Sequence, residues 1–103
     1  MSDALTLRHF VSYSGVKLPL NLHTPLDDVR NRITFYRAHY NSAEQMVKVE
    51  KMVYGEVEST HDYQYHADGS LSEALITLHA EDEQTRMCFA PDGELLSSET
   101  EAL

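Results

Sequence analysis

Apolar and polar residues alternate along most of this chain, and the alternation restarts after each of a series of turn signals. Val16-Lys17-Leu18-Pro19-Leu20-Asn21-Leu22 holds a period of two, the mark of a strand with one buried face. Leu5 to Tyr13 alternates more loosely but carries β-branched and aromatic residues, and Ser14-Gly15 between the two runs predicts a first hairpin. Pro19 lacks an N–H, which places the second strand at a sheet edge. The one helix signal is Thr24-Pro25-Leu26-Asp27-Asp28-Val29: a capping residue, proline at the first helical position and acid in the first turn. It predicts one short helix near residues 25–30, before Ile33 to Tyr36 resumes as strand.

From there the chain repeats a unit of aromatic residue, turn, then Leu or Met. The unit runs from Ala38 to Met46, from Tyr63 to Leu71 and from Met87 to Leu95. A strand-turn-strand unit used three times makes a meander. Two-residue turns are expected at Ala43-Glu44, Asp68-Gly69 and Asp92-Gly93, with Asp-Gly suited to a turn in which both central residues have positive φ. A three-residue loop, Tyr54-Gly55-Glu56, keeps strand parity between the first two units. One face then collects Tyr36, Ala38, Tyr40, Val47, Val49, Val53, Val57, Tyr63, Tyr65, Ala74, Ile76, Leu78, Met87, Phe89 and Leu96, with Lys51 and His61 as its main polar members. The other face takes Arg37, His39, Lys48, Glu50, Glu58, Thr60, Asp62, Gln64, Glu73 and Thr77. A one-residue slip would expose the whole apolar set, so the register is strongly specified. It sets Arg37 across from Glu50 and Lys48 across from Asp62, opposite charges that stabilise neighbouring strands.

The fold expected is therefore mainly β: an antiparallel meander of seven or eight strands, curled or closed halfway to a barrel, with one short helix. Leu18, Leu20, Leu22, Leu26 and Val29 are the expected cover for the apolar face. At 103 residues the chain makes a single domain over 1–103, and the acidic stretch at residues 97–103 is expected to fray.

Composition narrows the function classes. The formal charge is −9, from 17 acidic against 8 basic residues. No basic stripe is available to displace counterions from phosphates, which argues against nucleic acid, and the same balance argues against an anionic membrane surface. No apolar run is long enough to span a bilayer, and Met1 to His9 has no signal-peptide pattern. The lone Cys88 suits a reducing compartment, so the cytoplasm is the expected location.

Tyr63-Gln64-Tyr65-His66-Ala67-Asp68-Gly69-Ser70-Leu71 resembles the tyrosine-aspartate hairpin repeat of bacterial Rhs and YD-repeat proteins. That resemblance covers about 60 residues in three degenerate units and brings no catalytic residue with it. As a whole the chain resembles small bacterial proteins of an uncharacterised domain family, through Phe10 to Leu20, Val53 to Val57 and the Tyr63 hairpin. That resemblance implies one fold unit and no mechanism.

Six histidines invite a metal reading, yet there is no Cys pair and no His-x-His. In strands His61 faces opposite to Asp62 and His66, so only a surface set of His39, Asp62 and His66 is conceivable, and no metal or cofactor is expected. His61, beside Tyr63 and opposite Ile76 on the apolar face, is the sharper candidate for a perturbed imidazole. The plainer reading is a core-edge histidine bonded to a tyrosine hydroxyl or a backbone carbonyl. Asp62 faces away and cannot orient it as a triad member would. Cys88, outward beside Ser97, has no base. Tyr36, Tyr40, Tyr63 and Tyr65 form a row that could line a pocket with His61.

These readings favour a non-catalytic accessory or interaction protein that meets a protein partner or a second copy of itself. The alternative is a binding protein for an aromatic or apolar small molecule, using Tyr36, Tyr40, His61, Tyr63 and Tyr65. No pair of titratable groups converges in this register, which argues against an enzyme.

Overall fold

In a computed structural model, which describes residues 6–15, 18–30 and 32–103, eight strands form one antiparallel sheet. They are β1 (Thr6–Ser14), β2 (Asn21–Leu26), β3 (Thr34–Tyr40), β4 (Met46–Val53), β5 (Glu56–Tyr65), β6 (Leu71–Leu78), β7 (Glu83–Phe89) and β8 (Leu95–Ala102). Their order is β2-β1-β3-β4-β5-β6-β7-β8, unclosed, with β2 and β8 at the edges. From β3 to β8 the chain is the expected meander. The start differs, because β2 and β3 both run antiparallel to β1, so the chain between Leu26 and Thr34 crosses β1.

The short helix near residues 25–30 is not formed. Thr24, Pro25 and Leu26 end strand β2, with Phe10 opposite Pro25 and His9 opposite Leu26. Pro25 is tolerated there because an edge strand does not need every N–H. Asp28 then accepts from the Arg30 backbone N–H at 2.9 Å, holding a local turn in place of a first helical turn. Too few apolar residues follow for a helix to bury a face. The only helical element among the described residues is a 3-10 turn, His79–Glu81. The predicted strand from Val16 to Leu22 also shifts. Val16 and Lys17 lie outside the described residues, as does Leu5, and Leu18 to Leu20 form a bend before β2. Residues 97–103 do not fray: β8 pairs with β7 from Leu95 to Ala102, and Leu103 N–H donates to the Asp82 carbonyl at 2.7 Å.

Through the body of the sheet the predicted register holds: Ala38 faces Val49, Val49 faces His61, and His61 faces Ile76. It slips by one beside the turns that follow β3, β4, β5 and β7, and holds throughout β6–β7. At Asp68-Gly69 and Asp92-Gly93 only the glycine has positive φ, +91° and +93°, and its N–H donates to the carbonyl three residues back. These are type I turns followed by a bulge, not the mirror-image two-residue turns expected. The Asn41 hairpin repeats the pattern with Glu44, φ +61°, in the glycine's place. Tyr54-Gly55, expected within a three-residue loop, is the two-residue turn with both φ positive. The bulges exchange neighbours near the tips: Tyr40 faces Met46 rather than Val47, Tyr65 faces Leu71, and Phe89 faces Leu95 rather than Leu96. Val57 comes to face Met52, and Glu58 is the extra residue of its bulge.

The sheet's inner face holds the core: Phe10, Tyr36, Ala38, Val49, Tyr63 and Ala74 are buried, with Ala38 and Ala74 fully so. Leu18, Leu20 and Leu22 pack against this cluster, as expected of the first hairpin. Leu20 N–H donates to the Tyr63 hydroxyl at 3.3 Å. Tyr63 stands on β5, four places from β2 in the sheet order, so this contact needs the sheet to curl over its inner face. The outer face carries charges and one apolar island, in which Phe35 faces Met52 and the His9 ring meets Phe35 edge-on at 5.6 Å.

Candidate functional site

Folding the Leu18–Leu20 bend over the inner face leaves space on either side of it. The larger cavity, about 690 Å³, lies between that bend and the tips of the β5–β6 and β7–β8 hairpins. Leu18, Pro19, Tyr65, Leu71, Met87, Phe89 and Pro91 give it apolar walls. The hairpin bulges bring Leu71 opposite Tyr65, so the residue type facing this space follows from the Gly69 turn. Tyr65 spends its hydroxyl on the Met46 carbonyl, and burial pushes its pKa up to about 12. It contributes a neutral ring and no free donor.

The second cavity, about 250 Å³, lies on the other side of Leu20 and is bordered by Tyr13, Tyr36, Val49, Lys51, Ser59, His61 and Leu78 together with Glu58. The Tyr13 and Tyr36 rings meet edge to face at 5.5 Å. Lys51 Nζ lies 3.0 Å from the Glu58 carboxylate. Glu58 was expected on the outer face, and the bulge that makes it the extra residue of β5 is what re-aims it toward Lys51. No pattern in the sequence marks that bulge, since it follows from the Tyr54-Gly55 turn being one residue shorter than parity suggested.

Between His61 and Tyr65 on β5 stands Tyr63, 3% exposed. Its oxygen accepts Leu20 N–H, and it lies 2.7 Å from His61 Nδ1. A phenol has one hydrogen, and among the described residues His61 Nδ1 is the partner available to take it. His61 is thereby set as the Nε2–H tautomer. Burial lowers the His61 pKa, with the Asp62 charge opposing, and burial raises that of Tyr63 well above the usual phenol range. The pair is uncharged at neutral pH.

The five residues singled out from the sequence thus do not share one pocket. Tyr65 borders the large cavity, Tyr36 and His61 border the second, and Tyr63, between His61 and Tyr65 on β5, lines neither. Tyr40 borders a separate hollow of about 190 Å³ with Thr6, Arg8, Asn41 and Glu44, its ring 5.5 Å from the Arg8 guanidinium. On the outer face, His39 Nε2 lies 3.1 Å from Glu50, and His66 Nε2 lies 2.8 Å from the Phe89 carbonyl. Neither converges with Asp62. Among the described residues no group of three or more His, Cys, Asp or Glu could hold a metal ion.

An open, curled antiparallel sheet with a neutral tyrosine–histidine pair and two inner-face cavities defines an all-β protein of one sheet. The chain belongs to a family of unknown function, DUF6156, whose profile matches residues 2–98. Neither the curated proteins nor the solved structures contain a match to it. The likeness to tyrosine-aspartate repeats rests on the hairpin pattern alone. No helix among the described residues is long and apolar enough to cross a membrane.

Proposed function

We propose that this is a non-catalytic binding protein whose inner sheet face takes a small apolar or aromatic molecule. The observation that carries the reading is the cavity of about 690 Å³ walled by Leu18, Tyr65, Leu71, Met87 and Phe89. Ligand sites are concave and mostly apolar, with volumes of about 300–1,000 Å³. The hydroxyl of Tyr65 is already engaged, which favours an occupant held by shape and ring contact. Titration of the labelled protein with naphthalene should give saturable methyl shifts at Leu71 and Met87. Leu71→Trp, which fills the space, should abolish them. Unchanged methyl signals up to the solubility limit would remove the support for this reading.

A second reading, an interaction protein, rests on β8. All eight of its residues are exposed, and among the described residues no strand lies beside its outer edge. An open edge can accept a further strand from a partner or from a second copy. Light scattering at micromolar concentration tests the self-association arm, with Thr100→Pro expected to shift any dimer to monomer. In either reading the protein works in the cytoplasm, as the lone cysteine suggests, and nucleic acid is not the partner of a chain with charge −9.

A further inference from the structure

The second cavity is independent of the first and has different chemistry. One wall is apolar, from Leu20, Val49 and Leu78, and its titratable polar groups are His61, Lys51 and Glu58, beside the hydroxyls of Tyr13, Tyr36 and Ser59. Hydrogen counting fixes what each can offer. Tyr63 takes Leu20 N–H and gives its own hydrogen to His61 Nδ1, leaving His61 Nε2–H as the free donor of that ring. Lys51 uses one of three N–H groups on Glu58. Glu58 retains acceptor capacity beside it. His61 Nε2–H, the remaining Lys51 N–H groups and the Glu58 carboxylate, with the hydroxyls of Tyr13, Tyr36 and Ser59, therefore border a space with room for one substituted benzene ring, between the edge-to-face pair Tyr13 and Tyr36 and the aliphatic wall.

Charge chooses among ligands of that shape. Lys51 and Glu58 cancel each other, and the imidazole is neutral, so the cavity has no formal charge to spend on an ion. The chain around it carries −9. An aromatic carboxylate would meet Glu58 and the protein's negative field, whereas a neutral carbonyl places two lone pairs against two donors with no such cost. The bulge at Glu58 supports a built site, since it turns a residue of the charged outer face inward at this one place.

We propose that the cavity formed by Tyr36, Lys51, Glu58, Ser59 and His61 binds a neutral planar aromatic carbonyl compound. Its oxygen accepts from His61 Nε2–H and Lys51, and its ring lies against Leu20 and Leu78.

Benzamide and its charged isostere benzoate are the probes, titrated into the full chain labelled with ¹⁵N. Benzamide should shift the signals of Tyr36, Ser59 and His61 to saturation while leaving Leu71 and Met87 unmoved, and benzoate should bind at least tenfold more weakly. Lys51→Met, at a position whose side chain is 34% exposed, should weaken benzamide about tenfold. Long-range ¹⁵N correlation spectra of the unliganded protein should show His61 with a bare Nδ1 and a protonated Nε2. The proposal fails if the ring proton sits on Nδ1, if benzoate binds as well as benzamide, if Lys51→Met leaves benzamide affinity unchanged, or if neither probe saturates. Since the large cavity is read at Leu71 and Met87, loss of one site does not decide the other.

Discussion

The two faces of this sheet solve the same problem, the burial of polar groups, by opposite means. At the buried centre of the inner face, inside the partly exposed pair Lys51 and Glu58, polar atoms are neutral and arranged in series: Leu20 N–H, the Tyr63 hydroxyl and His61 Nδ1 satisfy one another without a formal charge. On the outer face they are charged and arranged across strands. Glu50 accepts from Arg37 at 3.0 Å and lies 3.1 Å from His39, and Lys51's inward pairing with Glu58 has its outward counterpart in Arg86 with Glu73 at 3.1 Å. The difference follows from solvent. Charges on the outer face keep water beside them, while a charge in place of Tyr63 would have to be desolvated. The inner face is therefore expensive to disturb, and the outer face forgiving.

Tyr63→Ala tests the expensive side. It removes a nearly fully buried ring and both hydrogen bonds at once, so a loss of about 3–5 kcal/mol is expected, read as a lower denaturant midpoint. Tyr63→Phe separates the two contributions. It keeps the ring, leaves Leu20 N–H and His61 Nδ1 without a partner, and should cost about 1–3 kcal/mol. A cost near zero for Tyr63→Phe would show that the Leu20 bend is not fastened to β5.

Next in size is Glu50, the most enclosed charge of the outer face. Glu50→Ala should cost about 1–2 kcal/mol, since it strips Arg37 and His39 of a shared acceptor that is only partly solvated. Acid separates the faces without mutation. Burial lowers the His61 pKa, so its contribution is present above the ordinary value of 6.5 and is lost as pH falls through the lower folded value. Burial acts to raise the Glu50 pKa, but hydrogen bonds from Arg37 and His39 outweigh it. That contribution is present above the ordinary 4.5 and is lost as pH falls through the folded value below it. Stability measured against pH should decline first on account of the inner face and then of the outer. His61→Phe should remove the earlier part of the decline and Glu50→Gln the later.

Glu44→Gly is expected to act in the other direction. Glu44 occupies, at φ +61°, the left-handed position that Gly69 and Gly93 fill in the sister hairpins. Relieving it should stabilise the protein by about 1 kcal/mol, read as a higher denaturant midpoint.

That hairpin also shows what the sequence could reveal and what it could not. The alternation of apolar residues made the strands, the pairing of His61 with Ile76 and the Arg37–Glu50 and Lys48–Asp62 pairs legible, because a period of two leaves little freedom in the body of a strand, while the partner of His61 stayed open between a tyrosine hydroxyl and a backbone carbonyl. Turns were less legible. Asp-Gly serves both a two-residue turn and a type I turn with a bulge, and the two differ by one residue of register. The slip stays confined beside each tip, yet it is there that Leu71 and Glu58 acquire the positions that make the cavities. The helix expected near residues 25–30 failed for a related reason. Thr24-Pro25 has the chemistry of a helix start, but β1 offered an unpaired edge to the same residues. A tertiary partner outweighed a local signal.

The smallest expected effect is the outer-face pair Lys48 and Asp62, which the register placed face to face from the start. Its closest N–O distance is 3.9 Å, and both side chains are more than two-fifths exposed. Water screens such a pair, and holding two long side chains in one geometry costs entropy. A double-mutant cycle with Lys48→Ala and Asp62→Ala should therefore return a coupling of about 0–0.5 kcal/mol, shrinking further in 1 M salt. A coupling above about 1.5 kcal/mol would mean that the outer face excludes water at this position. The contrast between the neutral, buried centre of the inner face and a charged, wetted outer face would then not hold.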